Sequence, residues 1–259
     1  MIVSPFTRAL TRQPAVTAAQ GITTSTHLGV PDLTKMAQQY TAYLDALREC
    51  GLDIITLPPD ARFPDGHFVE DPVVIFRELA FISRPGALAR RGEETALAIN
   101  LSHLHCIYLT GKEATLDGGD VLFCADRVLI GLSERTNLAG AQQLATALRT
   151  IQPDLRVEMV AFSGVLHLKT GVTELAPGLL VRSPHMHTDH DFSFAQTVTL
   201  PAEEAYAADV LPVNDALLIP AGFATVAALA SQHYTQVIAL EMSEFEKMDG
   251  GLTCLSLRY

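Results

Sequence analysis

The chain has 259 residues, 48% hydrophobic and 18% charged, with a formal net charge of −11. Such a composition describes a globular chain with a sizeable core rather than a disordered one, and no apolar run approaches the ~20 residues of a membrane span. The acidic balance disfavours nucleic acid and suits a cationic small molecule. Four cysteines, Cys50, Cys106, Cys124 and Cys254, form no CxxC pair, which argues against a zinc ribbon or a disulfide framework. Met1 to Leu10 lacks the basic end and long apolar middle of a signal peptide, so a cytoplasmic location is expected.

In chain order, Gly21 to Gly29 is a Thr/Ser/Gly-rich loop and a candidate lid. It feeds a helix with Asp32 as N-cap and Leu33, Met36, Ala37, Tyr40, Leu44 and Leu47 at helical spacing, ended by Gly51. Ile54 to Leu57 is a strand. The Pro-rich stretch Pro58 to Pro72 follows, with Asp65, Phe68, Glu70 and Asp71; the last two acids run directly into the core-like strand Val73 to Phe76. Acids at the mouth of a buried strand are costly to dehydrate unless a cation meets them, which points to a cationic ligand. Ala80 to Ile82 is a second strand, and Arg90-Arg91-Gly92-Glu93-Glu94 opens a helix to about Leu101. Arginine at that end gains nothing from the helix dipole, so an anion-binding role is open.

The pattern recurs. Asp117-Gly118-Gly119-Asp120 leads to strands at Val121–Phe123 and Val128–Gly131, then to a helix with Leu138, Ala141, Leu144, Ala145 and Leu148, and a strand at Val157–Ala161. His167 opens a third unit, with Leu179–Val181 as partner strand and a short or missing helix. Ala208–Val213, Ala216–Ile219, a helix near Ala224–His233 and Val237–Leu240 form a fourth. The fifth is split, a final strand from Leu252 joining the first helix and Ile54–Leu57. Units of roughly 50 residues signal a closed or solenoid array, and a strand shared between the chain ends suggests closure. No linker interrupts the pattern, so a single domain over residues 1–259 is expected.

Glu70-Asp71, Asp117, His167 and Cys254 stand at the heads of equivalent first strands and would face a common axis. Thiol, imidazole and carboxylate are the nucleophile, base and orienting acid of covalent catalysis. Cys254 itself falls behind the Gly250-Gly251 turn, where Leu252, Cys254 and Ser256 would share one face of a strand. Cys106 and Cys124 lie in apolar strands as packing residues.

Phe63-Pro64-Asp65 with Phe68-Val69-Glu70-Asp71-Pro72, Arg90-Arg91-Gly92, Leu116-Asp117-Gly118-Gly119-Asp120, Gly131 to Asn137, Leu166-His167-Leu168-Lys169 and Asp249-Gly250-Gly251-Leu252-Thr253-Cys254 occur together and in order. In these segments the chain resembles the dimethylarginine dimethylaminohydrolases of the guanidine-modifying (pentein) superfamily. The resemblance implies an α/β fold, a five-bladed α/β propeller of ββαβ repeats with pseudo-fivefold symmetry. It implies hydrolysis of Nω-methylated arginine to citrulline and an amine through a covalent thiouronium on Cys254, without cofactor or metal. Cys254 would be the nucleophile, His167 the general acid/base and Asp117 the third member of the triad, where some relatives carry Glu. Glu70 and Asp71, with Phe68 beside them, match positions at the guanidinium. Asp65 matches the α-amino contact, and Arg90 and Arg135 the α-carboxylate pair. Ile22 and Met248 match backbone carbonyls at the ammonium group, with Asp249 adjacent. An arginine deiminase or amidinotransferase shares this chemistry, and a non-enzymatic propeller binding protein shares the fold. No nucleic-acid or membrane partner is expected, and oligomeric state, a homodimer included, is open. His185, His187 and His190 sit at metal-like spacing, but match no segment of the family; a solvated loop is expected there.

Overall fold

The structure, a computed structural model, describes residues 5–192 and 196–259. β1 (Arg8–Arg12), α1 (Leu33–Glu49) and β2 (Asp53–Leu57) come first, and β2 lies parallel to β1. Asp32 caps α1, its carboxylate accepting from the amides of Thr34 and Lys35 at 2.8 and 3.1 Å. Met36, Tyr40, Tyr43, Leu44 and Leu47, spaced three or four apart, form the buried face of the helix.

Three further units follow one plan: two antiparallel strands, then a helical crossover to a third strand parallel to the second. They are β3 (Val73–Phe76), β4 (Leu79–Ile82), α2 (Glu93–Asn100) and β5 (His105–Tyr108); β6 (Val121–Phe123), β7 (Val128–Leu132), α3 (Leu138–Ile151) and β8 (Val157–Ala161); and a third unit later in the chain. Between them lies a unit headed by the single turn α4 (Leu168–Gly171). Its strands are β9 (Val172–Ala176), β10 (Leu179–Arg182) and β11 (Gln196–Thr199), with no helix among the described residues between the last two. The last unit spans β12 (Leu211–Val213), β13 (Ala216–Pro220), α5 (Ala224–His233) and β14 (Gln236–Leu240). After the short α6 (Ser243–Glu246), β15 (Leu257–Arg258) pairs antiparallel with β1 and supplies the missing first strand of the opening sheet. The described residues thus form an α/β fold of five three-stranded sheets.

Covered on both faces, the middle strands read as continuous apolar runs: β4 and β13 are buried throughout. Neighbouring sheets share cores. Phe76, Leu79 and Phe81 of one sheet pack in a cluster with Val121, Ile130, Leu144 and Leu148 of the next unit. No helix of the described residues is long and apolar enough to cross a membrane.

Several expectations need correction. β1 escaped notice because Arg8 and Arg12 flank its short apolar centre; it is a strand because β2 and β15 pair with it on either side. Cys254 is not in a strand. Thr253–Leu255 is a 3-10 turn, and Leu252 and Leu255, three apart, are buried together in the core while β15 starts only at Leu257. α2 begins at Glu93, and Arg90 belongs to a separate 3-10 turn, Leu88–Arg90. Ala202–Ala208 is likewise a 3-10 segment, so the strand expected from Ala208 starts at Leu211.

Candidate active site

The segments heading the first strands converge on one cavity. Ile22, Asp65, Phe68, Asp71, Arg90, Asp117, Arg135, His167, Met248, Asp249 and Cys254 line it, together with Thr24, Leu166 and Gly250, which were not expected as site residues. Asp71 precedes β3, Asp117 precedes β6, His167 precedes α4 and β9, and Cys254 precedes β15.

His167 Nε2 lies 3.1 Å from Asp117 Oδ2 and 3.9 Å from Asp71 Oδ1. Asp117 is fully buried and held from two sides: the Gly86 amide donates to its Oδ1 at 2.8 Å, and its own amide donates to Thr136 Oγ1. Gly119 must be glycine here. A methyl group on it would stand 2.7 Å from the His167 ring, and its amide donates to Asp71 Oδ1 at 3.0 Å. Asp120 fixes the neighbouring backbone, accepting from the Leu168 amide at 2.9 Å and from Ser133 Oγ at 2.7 Å.

Burial alone would push the His167 imidazole down, but Asp71, Asp117 and Asp120 outweigh it and raise the group to about 9. Burial would raise Asp71; the adjacent His167 and Arg90 charges reverse that and hold it at about 2. The resting pair is therefore an imidazolium between carboxylates. Cys254 stands opposite in character. Burial, then Asp209, Glu70 and Asp71, push its thiol well above the usual range, against one opposing contact from the Gly251 amide to Sγ at 3.5 Å. The thiol is therefore neutral at neutral pH.

Glu70 and Arg90 make contacts that the sequence did not show. Glu70 does not line the cavity: its Oε1 meets Lys169 Nζ at 2.5 Å and Arg258 Nη2 at 3.4 Å, and the residue borders a separate cavity. The Arg90 guanidinium is engaged by the Asp71 carboxylate, by Glu93 Oε2 at 2.7 Å and by the Phe68 carbonyl at 2.7 Å. Its contacts hold Asp71 in place while the residue lines the cavity. Among the described residues the half-buried Arg135 carries no ion pair on its guanidinium, which makes it the available cation. The pairing of Arg90 with Glu93 had a readable signal, an Arg and a Glu three apart.

At the other end, Asp65 is buried and accepts from the Ile22 amide at 3.2 Å through both oxygens; burial raises its carboxyl, the Arg90 charge opposing. Asp249, in left-handed backbone at φ 58°, ties down the Gly21–Gly29 loop: it accepts from the Thr24 amide and from Ser25 Oγ, each at 2.5 Å. The histidine-rich loop is not gathered around a point. The His187 backbone bridges Ser163, while His190 Nε2 sits 3.1 Å from Glu158 Oε2 and its ring meets the edge of Phe192. Among the described residues, the one set of three His, Cys, Asp or Glu ligand atoms close enough for a shared ion is Asp71, Asp117 and His167, already engaged by Arg90 and two backbone amides.

The arginine deiminase family profile matches residues 97–217. Over 256 residues the chain is 38% identical to the N(G),N(G)-dimethylarginine dimethylaminohydrolase of Pseudomonas aeruginosa, covering 98% of this chain and 100% of that protein. The crystal structure of a P. aeruginosa cysteine-to-serine variant complexed with citrulline superposes with a TM-score of 0.90 at 36% identity, covering 99% of this chain and 100% of that one. A histidine-to-glycine variant of a dimethylarginine dimethylaminohydrolase, in an adduct with S-methyl-L-thiocitrulline, gives a TM-score of 0.90 at 37% identity, covering 98% and 100%. With such identity along nearly its whole length, the chain belongs to the dimethylarginine dimethylaminohydrolase family.

Proposed function

We propose that this protein hydrolyses Nω-methylated arginines to citrulline and methylamine or dimethylamine, with Cys254 as the nucleophile. The observation that carries the reading is the convergence of Cys254, His167, Asp117 and Asp71 on one cavity, which a raised imidazole and a raised thiol both line. The citrulline complex and the adduct of the similar enzymes support it. We further read the five sheets as blades of a single α/β propeller over residues 1–259 with pseudo-fivefold symmetry, which puts the heads of the first strands around one axis.

A guanidinium is planar, delocalised and a poor electrophile, so it must be gripped in its plane and attacked from its face. Asp71 takes the in-plane role, oriented by Arg90 and the Gly119 amide. Arg135 receives the α-carboxylate. Asp65, the carbonyls of Ile22 and Met248, and the neighbouring Asp249 receive the α-ammonium. The bound cation offsets the carboxylates that oppose thiolate formation; the Cys254 thiol loses its proton to solvent and the sulfur adds to the central carbon as the anion. The C–N bond to the methylated nitrogen breaks as His167 gives that nitrogen a proton, and a cationic thiouronium remains on sulfur. Water then adds to the same carbon, losing one proton to His167; as the C–S bond breaks the adduct's hydroxyl proton passes to the departing sulfur, releasing citrulline and the neutral thiol. Asp117 holds the imidazole throughout.

The test is citrulline formation from dimethylarginine, monomethylarginine and arginine, with wild type and Cys254→Ala side by side. Turnover of the methylated substrates that disappears in the variant supports the proposal. Preference for unmethylated arginine moves the activity to a deiminase, and undiminished turnover by Cys254→Ala removes the mechanism.

A further inference from the structure

Four of the five units place a polar residue at the head of the first strand: Asp71, Asp117, His167 and Cys254. The unit of β12 has a counterpart, Asp209, two residues ahead of Leu211 and outside the proposed machinery. It is buried, and it reaches the cysteine turn rather than the cavity. Asp209 Oδ2 accepts from Thr253 Oγ1 at 3.3 Å. The same oxygen lies against the bare Cα of Gly251, so a methyl group there would overlap it. Gly251 in turn supplies the amide that donates to Cys254 Sγ. From the same connection, Tyr206 OH donates to the Gly250 carbonyl at 2.8 Å, so the segment before β12 grips the turn at Gly250, Gly251 and Thr253.

We infer that Asp209 is a positioning residue for Cys254: through Thr253 and Gly251 it holds the turn that carries the thiol, and its charge governs how readily the thiolate forms. The inference rests on Cys254 being the nucleophile and deepens that reading. Burial, with Glu70 adding to it and Lys169 and Thr253 opposing, raises the Asp209 carboxyl to about 7. The charged or titratable groups around it are Glu70 ahead of β3, Lys169 of α4, Tyr206 of the preceding connection and Cys254 itself. Among the charged groups that raise the Cys254 thiol, Asp209 is the largest. Ionised, it disfavours the thiolate; the hold on Thr253 requires only an acceptor oxygen. Geometry and charge are therefore separable by substitution.

The experiment follows alkylation of the Cys254 peptide by iodoacetamide across pH, read by mass, alongside steady-state turnover of dimethylarginine. Asp209→Asn keeps shape and an acceptor but removes the charge. Its alkylation midpoint moves down by about one unit, giving roughly tenfold faster labelling below the midpoint. Asp209→Ala and Thr253→Val release the turn and lower kcat at least about fivefold with KM little changed, whereas Thr253→Ser restores the rate. An unshifted labelling profile in Asp209→Asn, or wild-type kcat in folded Thr253→Val, overturns the inference. Labelling needs no substrate, so a failure of the hydrolase reading shows separately, as turnover surviving in Cys254→Ala.

Discussion

His167 and Cys254 occupy one cavity but are tuned in opposite directions. With His167 raised to about 9 from an ordinary 6.5, its contribution to folding is fully present below about pH 6.5 and is lost as pH rises through about 9. The same proton serves the leaving amine, so kcat/KM for dimethylarginine should fall above about pH 9, as a pH–rate profile would reveal. Because the Cys254 thiol is raised, the free enzyme should react slowly with iodoacetamide at neutral pH. A cationic alkylating amidine of equal intrinsic reactivity should label Cys254 faster, its charge substituting for the guanidinium; equal rates would count against charge-assisted thiolate formation. Asp117→Asn keeps the side-chain shape but removes the carboxylate facing the imidazolium. Turnover should drop by roughly 10²-fold or more, and the thermal midpoint below pH 6.5 should fall with the lost share of the His167 contribution, measured by kinetics beside calorimetry.

At the level of elements, most of this site was legible because short motifs coincide with element boundaries. Asp117-Gly118-Gly119-Asp120 announces a turn into a strand, and the glycines have a clear physical use, since only a residue without Cβ lets His167 lie against position 119. Asp32 as the cap of α1 was equally readable, and Asp32→Ala should cost about 1 kcal/mol in denaturant unfolding without altering turnover. Other elements were not legible because tertiary contacts decide them. The Leu252–Leu257 alternation fits a strand, yet burial of Leu252 and Leu255 on one side of a turn prevails. Glu70 was read with Asp71 as one acidic pair, but in the turn ahead of β3 the two side chains meet different partners, and Lys169 and Arg258, both distant in sequence, decide where Glu70 goes. Asp209 could have been found by carrying the repeat register into the fourth unit.

Across the whole molecule, the two chain ends complete one sheet. The Thr7 and Arg8 amides donate to the Tyr259 carbonyl at 2.9 and 2.8 Å, and β15 flanks β1 opposite β2. The repeat of strand pairs and crossovers was visible in the spacing, whereas β1 was not, since its pairing depends on residues nearly the full chain length away. Ending the chain at Ser256 would strip β15 from β1 and uncover Leu10 and Ala9. It should lower the thermal midpoint by several degrees or more and reduce turnover with it, because Cys254 hangs from the same segment.

All of this turns on whether one sulfur forms a bond to the guanidinium carbon. The direct measurement is peptide mass mapping of His167→Gly after exposure to S-methyl-L-thiocitrulline, whose thiol leaving group departs without a proton from the imidazole. A single added group is expected on the peptide containing Cys254, absent when Cys254 is also changed to Ala. An adduct on another residue, or none while Cys254→Ala alone still yields citrulline, would contradict it.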